Sequence, residues 1–282
     1  MEAMSSLEFA IIVMSIAFFC EFMDSTLGMG YGTTMTPVLI LLGYHPMQII
    51  PVVLLSELIT GVTAGFFHHR EGNVNFKPKT KDFSSILHHL KALGYVESFK
   101  RGLPPHLQVA LLLTICSVIG TVVAVFVAVN IPRLWLKLYI GCLVLSMGVV
   151  TIICLRREFT FSWKKIISLG LIASFNKGMS GGGYGPVVTG GQILSGVDGK
   201  SAVGITSLAE GLTCLVGFIA YLIVSKAAID WSLAPIIIAG AVCSIPLSTK
   251  SVKKLSSTKL KLFIAIVTIV LGLSTLAKTV GI

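Results

Sequence analysis

The chain has 282 residues, of which 54% are hydrophobic and only 12% charged, and its mean hydropathy is +0.91. Soluble domains carry roughly 25% charged residues, and the net charge of +10 sits mostly on residues that flank apolar runs. That placement is the orientation signal of a membrane protein rather than a nucleic-acid footprint. No alternating segments of about ten residues mark a β-barrel, so the expected class is an all-α polytopic membrane protein.

Residues 5–23 predict a first apolar helix, broken at Asp24 to Gly32. It lacks the basic n-region and small-residue cleavage site of a signal peptide. Residues 33–43 follow as a short run of about eleven residues, which covers roughly half of a 30 Å hydrocarbon core. Residues 46–67 form a full span, and a polar region extends from His68 to about His106. Residues 107–129 and 134–154 are two more spans, joined at Asn130-Ile131-Pro132. The order then repeats as 165–176, a break, 184–196, 201–224, 232–249 and 260–280.

The repetition is visible in the residues. Asn176 to Gly191 reads NKGMSGGGYGPVVTGG, and 153 positions earlier Asp24 to Pro37 reads DSTLGMGYGTTMTP. That shift places Gly183-Tyr184-Gly185 on Gly30-Tyr31-Gly32, Thr189 on Thr36, Gly196 on Gly43, Glu210 on Glu57 and Lys177 on Asp24. Further along, Asn73 to Phe76 matches Ala228 to Trp231 at a shift of 155, and Leu136 to Ile140 matches Leu260 to Ile264 at a shift of 124. The difference, 155 minus 124, gives the first copy about 31 extra residues before roughly His106. This insert, about 77–105, carries Lys77, Lys79, Lys81, Lys91, Lys100 and Arg101, and its stretch from Phe83 to Phe99 fits an amphipathic helix along the headgroups. The expected organisation is a first membrane repeat over 1–154 and a second over 155–282, together one transport domain.

Seventeen Lys and Arg fall in the 68–106, 155–165, Lys200 and 250–261 regions, against Arg133, Lys137, Lys226 and Lys278 on the other side. The richer side is expected to be cytoplasmic, which puts both termini outside the cell and inserts the copies from opposite sides. Two inverted-topology repeats result, each a glycine-rich broken or re-entrant helix pair followed by three spans. Secondary transporters are often built this way, with the binding site where broken helices meet.

A broken helix exposes backbone N–H groups that persist in a bilayer only when buried in protein or lining a wet cavity. Short helices starting near Thr33 and Pro186, just after Gly28, Gly30, Gly181, Gly182 and Gly183, aim two N-termini at one place and make an anion site. The plainer reading, glycines for close helix packing, does not require two matched breaks. Ionisable groups inside spans cost roughly 2.5–3.5 kcal/mol or more each, and five stand out: Glu21, Asp24, Glu57, Glu210 and Lys177. Either Lys177 and Asp24 neutralise each other across the matched breaks, or Lys177 binds an anionic substrate while Asp24 exchanges protons or lies at the site's edge. Glu57 and Glu210 fit either proton coupling or hydrogen bonding to a helix break. Asn176, Ser180, Thr33, Thr34, Thr206 and Ser207 suit oxyanion oxygens, and Tyr31 and Tyr184 are matched candidates for cavity walls.

No cofactor or metal is expected. The cysteines at 20, 116, 142, 154, 214 and 243 read as small buried core residues, and His68-His69 and His88-His89 lack ligand spacing. No P-loop supplies ATP chemistry, and no nucleophile–base pair suggests an enzyme.

The hairpins GMGYG (Gly28 to Gly32) and SGGGYGP (Ser180 to Pro186), with Arg70-Glu71-Gly72-Asn73-Val74 and its counterpart Ile229-Asp230-Trp231, resemble the TauE/SafE family of sulfite exporters, or TSUP permeases. The resemblance covers nearly the whole chain outside the insert. The first break reads GMG where many members have a fuller glycine run, and the insert is unusually long. The resemblance implies movement of small sulfur-containing anions, such as sulfite, sulfoacetate or other organosulfonates, across the cytoplasmic membrane, usually as export. The expected mechanism is alternating access, with Lys177 supplying charge, Asn176 and Ser180 hydrogen bonds, and Asp24, Glu57 and Glu210 coupling. An anion channel, and an uptake permease for thiosulfate or sulfite, are the alternatives.

Overall fold

Helix starts in this chain are set by proline and by capping side chains. Pro46 opens α3 (Pro46–Arg70) behind His45, whose ring accepts the Met47 N–H while the Gln48 side chain accepts the His45 N–H. Pro104 and Pro105 start α4 (Pro105–Asn130), and Asp198 caps α8 (Gly199–Val224) by accepting the Ser201 N–H. The other helices are α1 (Ser6–Leu27), α2 (Tyr31–Leu41), α5 (Arg133–Cys154), α6 (Trp163–Ser180), α7 (Tyr184–Leu194), α9 (Leu233–Ser251) and α10 (Ser257–Val280). This computed structural model describes residues 6–77, 103–154, 163–194, 197–225, 229–252 and 257–281, and every regular element among them is helical. The insert helix expected over Phe83 to Phe99 lies outside the described residues.

Seven of the helices, α1, α3, α4, α5, α8, α9 and α10, are long and apolar enough to cross a membrane. The chain is a multi-pass membrane protein. Helices α2 and α7 have 11 residues each, roughly half a bilayer core at 1.5 Å per residue. The apolar side faces outward: Ile115, Ile119, Val123 and Phe126 form an exposed stripe on α4, while Ser117, Gly120, Thr121 and Ala124 of the same helix are buried. Small and hydroxylated residues inside with large apolar ones outside is membrane packing.

Two of the helix pairs matched by the sequence repeat pack on one another, and each pair runs antiparallel. On α3 and α8, Leu54 lies against Gly217, Gly61 against Gly211 and Gly65 against Leu208. On α5 and α10, Gly141 meets Leu276, Leu145 meets Gly272 and Gly148 meets Ile269. The short helices α2 and α7 meet at their N-terminal ends: Gly32 meets Gly181 and Gly182 at the break before α7, and Gly185 meets Gly28 and Met29 at the break before α2. The remaining long helices exchange partners, α1 packing on α9 and α4 on α6.

Both interruptions are shorter than the sequence predicts. Helix α1 runs through Asp24 to Leu27 and stops only at Gly28–Gly30, and α6 runs to Ser180 and stops at Gly181–Gly183. Polar side chains did not end these helices because they are satisfied within them: Thr26 donates to the Phe22 carbonyl and Ser25 donates to Glu21, at 2.6 and 2.5 Å. Positive φ ends them, at Gly28 (71°) and Gly30 (133°), and at the matching Gly181 (72°) and Gly183 (80°). Helices α2 and α7 therefore begin at the matched tyrosines, Tyr31 and Tyr184, two residues before Thr33 and Pro186.

Candidate functional site

The two breaks touch. A side chain added to Gly32 would overlap the Gly181 carbonyl, and one added to Gly185 would overlap the Gly28 carbonyl. Glycine packing and helix breaking are thus divided among the residues: Gly32 and Gly185 permit the contact, while Gly28, Gly30, Gly181 and Gly183 supply the left-handed backbone. Thr189 of α7 ties the breaks together by donating to the Gly28 carbonyl at 2.7 Å. Its oxygen lies 2.8 Å from that of Thr206, which accepts from the Gln192 amide at 2.9 Å.

Lys177 lies at the end of α6 beside this contact and is 0% exposed. Its ammonium pairs with the Glu57 carboxylate from α3 and, at 2.7 Å, with Glu210 Oε1 from α8. Both acids are almost wholly buried. Antiparallel crossing of α3 and α8 brings these matched glutamates to one cation. A lone charge at this depth would be costly, and the ion pairs offset much of that cost.

Asp24, at the position matching Lys177, does not form its ion pair. It lies within electrostatic reach of Lys177 and Glu210, but its Oδ1 accepts the Tyr31 N–H at 3.2 Å. Glu57 Oε1 accepts the next donor, Gly32 N–H, also at 3.2 Å. The N-terminus of α2 is therefore closed by two of the protein's own carboxylates. At the N-terminus of α7 a lysine replaces the aspartate, and Glu210 does not reproduce the bond of Glu57: Oε1 is on Lys177, and Oε2 is buried without a hydrogen-bond partner among the described residues.

The other candidates turn elsewhere. Asn176 Oδ1 accepts from the Tyr139 hydroxyl at 2.8 Å, facing α5 rather than Lys177. Ser180 donates to the Asn176 carbonyl and accepts the Gly182 N–H at 3.1 Å, capping the break. Thr33 donates back to the Gly30 carbonyl at 3.3 Å. Thr34 is buried with no partner for its hydroxyl among the described residues. Tyr31 shares a 2.6 Å hydrogen bond with Ser56 and, like Tyr184, is a packed core residue rather than a cavity wall. Glu21 accepts from Ser25, and Ser207 donates to the Val203 carbonyl of its own helix. Cys20 and Cys214 are buried as expected, but Cys142 and Cys243 are exposed on the outer surface. No metal-ligand cluster occurs among the described residues.

A cavity opens at each end of the bundle. One of about 520 Å³ is lined by His45, Gln48, Ile131, Arg133 and Leu136 among others. Burial, with Arg133 and Lys137 nearby, holds the His45 imidazole below its ordinary value. The other, about 490 Å³, is lined by His69, Asn73, His106, Asp198, Lys200 and Ser201 among others. Leu136 is one helical turn from Tyr139, the partner of Asn176, and Ser201 is about two and a half turns from Glu210 on α8.

Comparison with known proteins agrees with this architecture. The family model described as "Sulfite exporter TauE/SafE" matches residues 13–79 and 86–275. The chain belongs to the TauE/SafE family. It is also 25% identical over 259 residues to the "Probable membrane transporter protein YtnM" of Bacillus subtilis (strain 168), covering 86% of this chain and 75% of that one. No solved structure matches. A TauE/SafE protein is a membrane transporter, which implies a small-molecule substrate.

Three contributors to the candidate site of this TauE/SafE protein escaped sequence reasoning. Tyr139 holds Asn176, Tyr221 donates to the Gly178 carbonyl at 2.7 Å, and Cys214 lies 3.9 Å from Glu57 Oε2. Only Cys214 carries a readable signal, four residues after Glu210 and hence on the same helix face.

Proposed function

We propose that this protein is a secondary transporter that exports small sulfur-containing anions, such as sulfite, sulfoacetate or other organosulfonates, across the cytoplasmic membrane by alternating access coupled to protons. The observation carrying this reading is the fully buried Lys177 at the contact of two broken helices, beside the α7 N-terminus that no carboxylate among the described residues closes. Lys177 supplies the charge. The α7 backbone, with Gly181, Gly182 and Gly183, supplies donors, and Asn176 and Ser180 rotate toward the anion when it binds. The coupling resides in the acid cluster of Glu57, Glu210 and Asp24 around Lys177. The matched family is described as sulfite exporters, and this supports the substrate class and direction.

Antiparallel packing of the matched helices supports two inverted repeats, 1–154 and 155–282, that rock about the breaks to open the two end cavities in turn. The excess of basic residues at the 68–106, 155–165 and 250–261 regions supports a cytoplasmic location for that side, with both termini outside. A closed centre between two separate cavities favours gated exchange over the open path of a channel. Replacing Lys177 by Ala is expected to abolish sulfite and sulfoacetate flux in vesicles. Retained flux would remove Lys177 from the site.

A further inference from the structure

We infer that Glu210 is the proton carrier of this transporter: the anion displaces the Glu210 carboxylate from Lys177, and Glu210 takes up one proton as it leaves. The inference rests on the anion-transport reading above and deepens it by naming the group and the stoichiometry.

Among the described residues the closed site holds one cation, Lys177, beside the carboxyl groups of Glu57, Glu210 and Asp24. With all three acids ionised, a further anion would enter a buried, already negative cluster. Like charges in a medium that solvates them poorly repel strongly, so binding without charge compensation is unfavourable. A proton is the one compensating ion that a carboxyl group can hold without a coordination shell.

The geometry distinguishes the three acids. Both oxygens of Glu57 are engaged, one by the Gly32 N–H and one by Lys177. Asp24 is fixed by the Tyr31 N–H. Glu210 has Oε1 on Lys177, while Oε2 is buried with no hydrogen-bond partner among the described residues. A proton placed on Oε2 turns that orphaned acceptor into a donor. The same event weakens the hold of Glu210 on Lys177 and frees the ammonium for the anion. Glu57 remains to orient Lys177, acting as a positioning residue.

The titratable groups around Glu210 fit this assignment. Its charged and titratable neighbours are Lys177 from α6, Glu57 from α3, Asp24 from α1, Tyr184 from α7 and Cys214 on its own helix. Lys177 is the one cation among them, and Glu210 Oε1 is paired to it, so an anion arriving at the ammonium competes directly with Glu210. The balance is simple. Water on the loading side gives a proton to Glu210 as the anion binds Lys177. After the site reopens, the anion leaves, the proton returns to water on the other side, and Glu210 re-forms its pair with Lys177. Anion and proton travel together, and a divalent anion carries one net negative charge across. The inside-negative membrane potential drives that charge outward.

The test uses the full chain in vesicles with a trapped pH indicator, potassium and valinomycin to clamp the voltage, and thiosulfate, which stays ionised over the working pH range. A tenfold thiosulfate gradient is expected to move about one proton per anion in the same direction. Glu210→Gln is expected to lower the proton-to-anion ratio to near zero, whereas Glu57→Gln and Asp24→Asn keep it near one at whatever rate they transport. Glu210→Asp is expected to restore the ratio. Wild-type thiosulfate flux without proton movement, or an unchanged ratio in Glu210→Gln, would overturn the assignment and leave anion transport standing. The wild-type ratio decides even if Glu210→Gln does not fold. Absence of wild-type flux for thiosulfate, sulfite and sulfoacetate would overturn the transport reading and this inference with it.

Discussion

The two half-helices α2 and α7 begin alike and end in different chemistry. Each starts at a matched tyrosine after two positive-φ glycines, Gly28 and Gly30 in one, Gly181 and Gly183 in the other. At α2 the preceding helix contributes Asp24, and the protein's own carboxylates occupy the Tyr31 and Gly32 N–H groups. At α7 the preceding helix contributes Lys177, which donates to Glu57 and Glu210. Exchanging one charge between copies of the same backbone accompanies carboxylate closure of the first break, and in the proposed anion transport the second receives the external anion.

Removing the lysine breaks this contrast most severely. Lys177→Met leaves Glu57 and Glu210 buried without a counterion, a loss of about 3–5 kcal/mol, and is expected to abolish flux; melting in detergent and vesicle uptake check the two effects. Moving the lysine sharpens the comparison. Asp24→Lys alone is expected to prevent stable folding, because it adds a second buried cation and uncaps α2, and adding Lys177→Asp is expected to recover folded protein by restoring one lysine and one aspartate across the breaks. Failure of the double variant to exceed Asp24→Lys in folded yield would show that the breaks are not interchangeable.

Smaller effects come from the backbone contact. Gly32→Ala places a methyl group on the Gly181 carbonyl and is expected to be more destabilising than Gly28→Ala, where the left-handed backbone costs about 1–2 kcal/mol and the Thr189 side chain must also move. Smallest of all, Gly190→Ala on α7 meets no atom within 4 Å. It is expected to raise stability by about 0.5–1 kcal/mol, and a lower melting temperature would contradict the described packing of α7.

Much of this was legible in the sequence because the repeat carries it. The 153-residue shift aligned the glycines, the tyrosines, Glu57 with Glu210 and Asp24 with Lys177, and hydropathy located the spans. The partners of Lys177 were not legible. Glu210 is 33 residues away and Glu57 farther, and their meeting depends on how α3 and α8 cross. Adjacency in sequence also misled. Asn176 precedes Lys177 by one residue, which on an α-helix turns it about 100° away, toward Tyr139 of α5. The breaks fell four residues late because Asp24, Ser25 and Thr26 are read as helix-ending polarity, yet each finds a partner on or beside its own helix.

The most direct test is equilibrium binding of labelled sulfite to purified protein, comparing wild type with Lys177→Gln at a temperature where both are folded. The account predicts saturable binding of one anion per chain to the wild type and none to the variant. Equal affinity in the two proteins would contradict it.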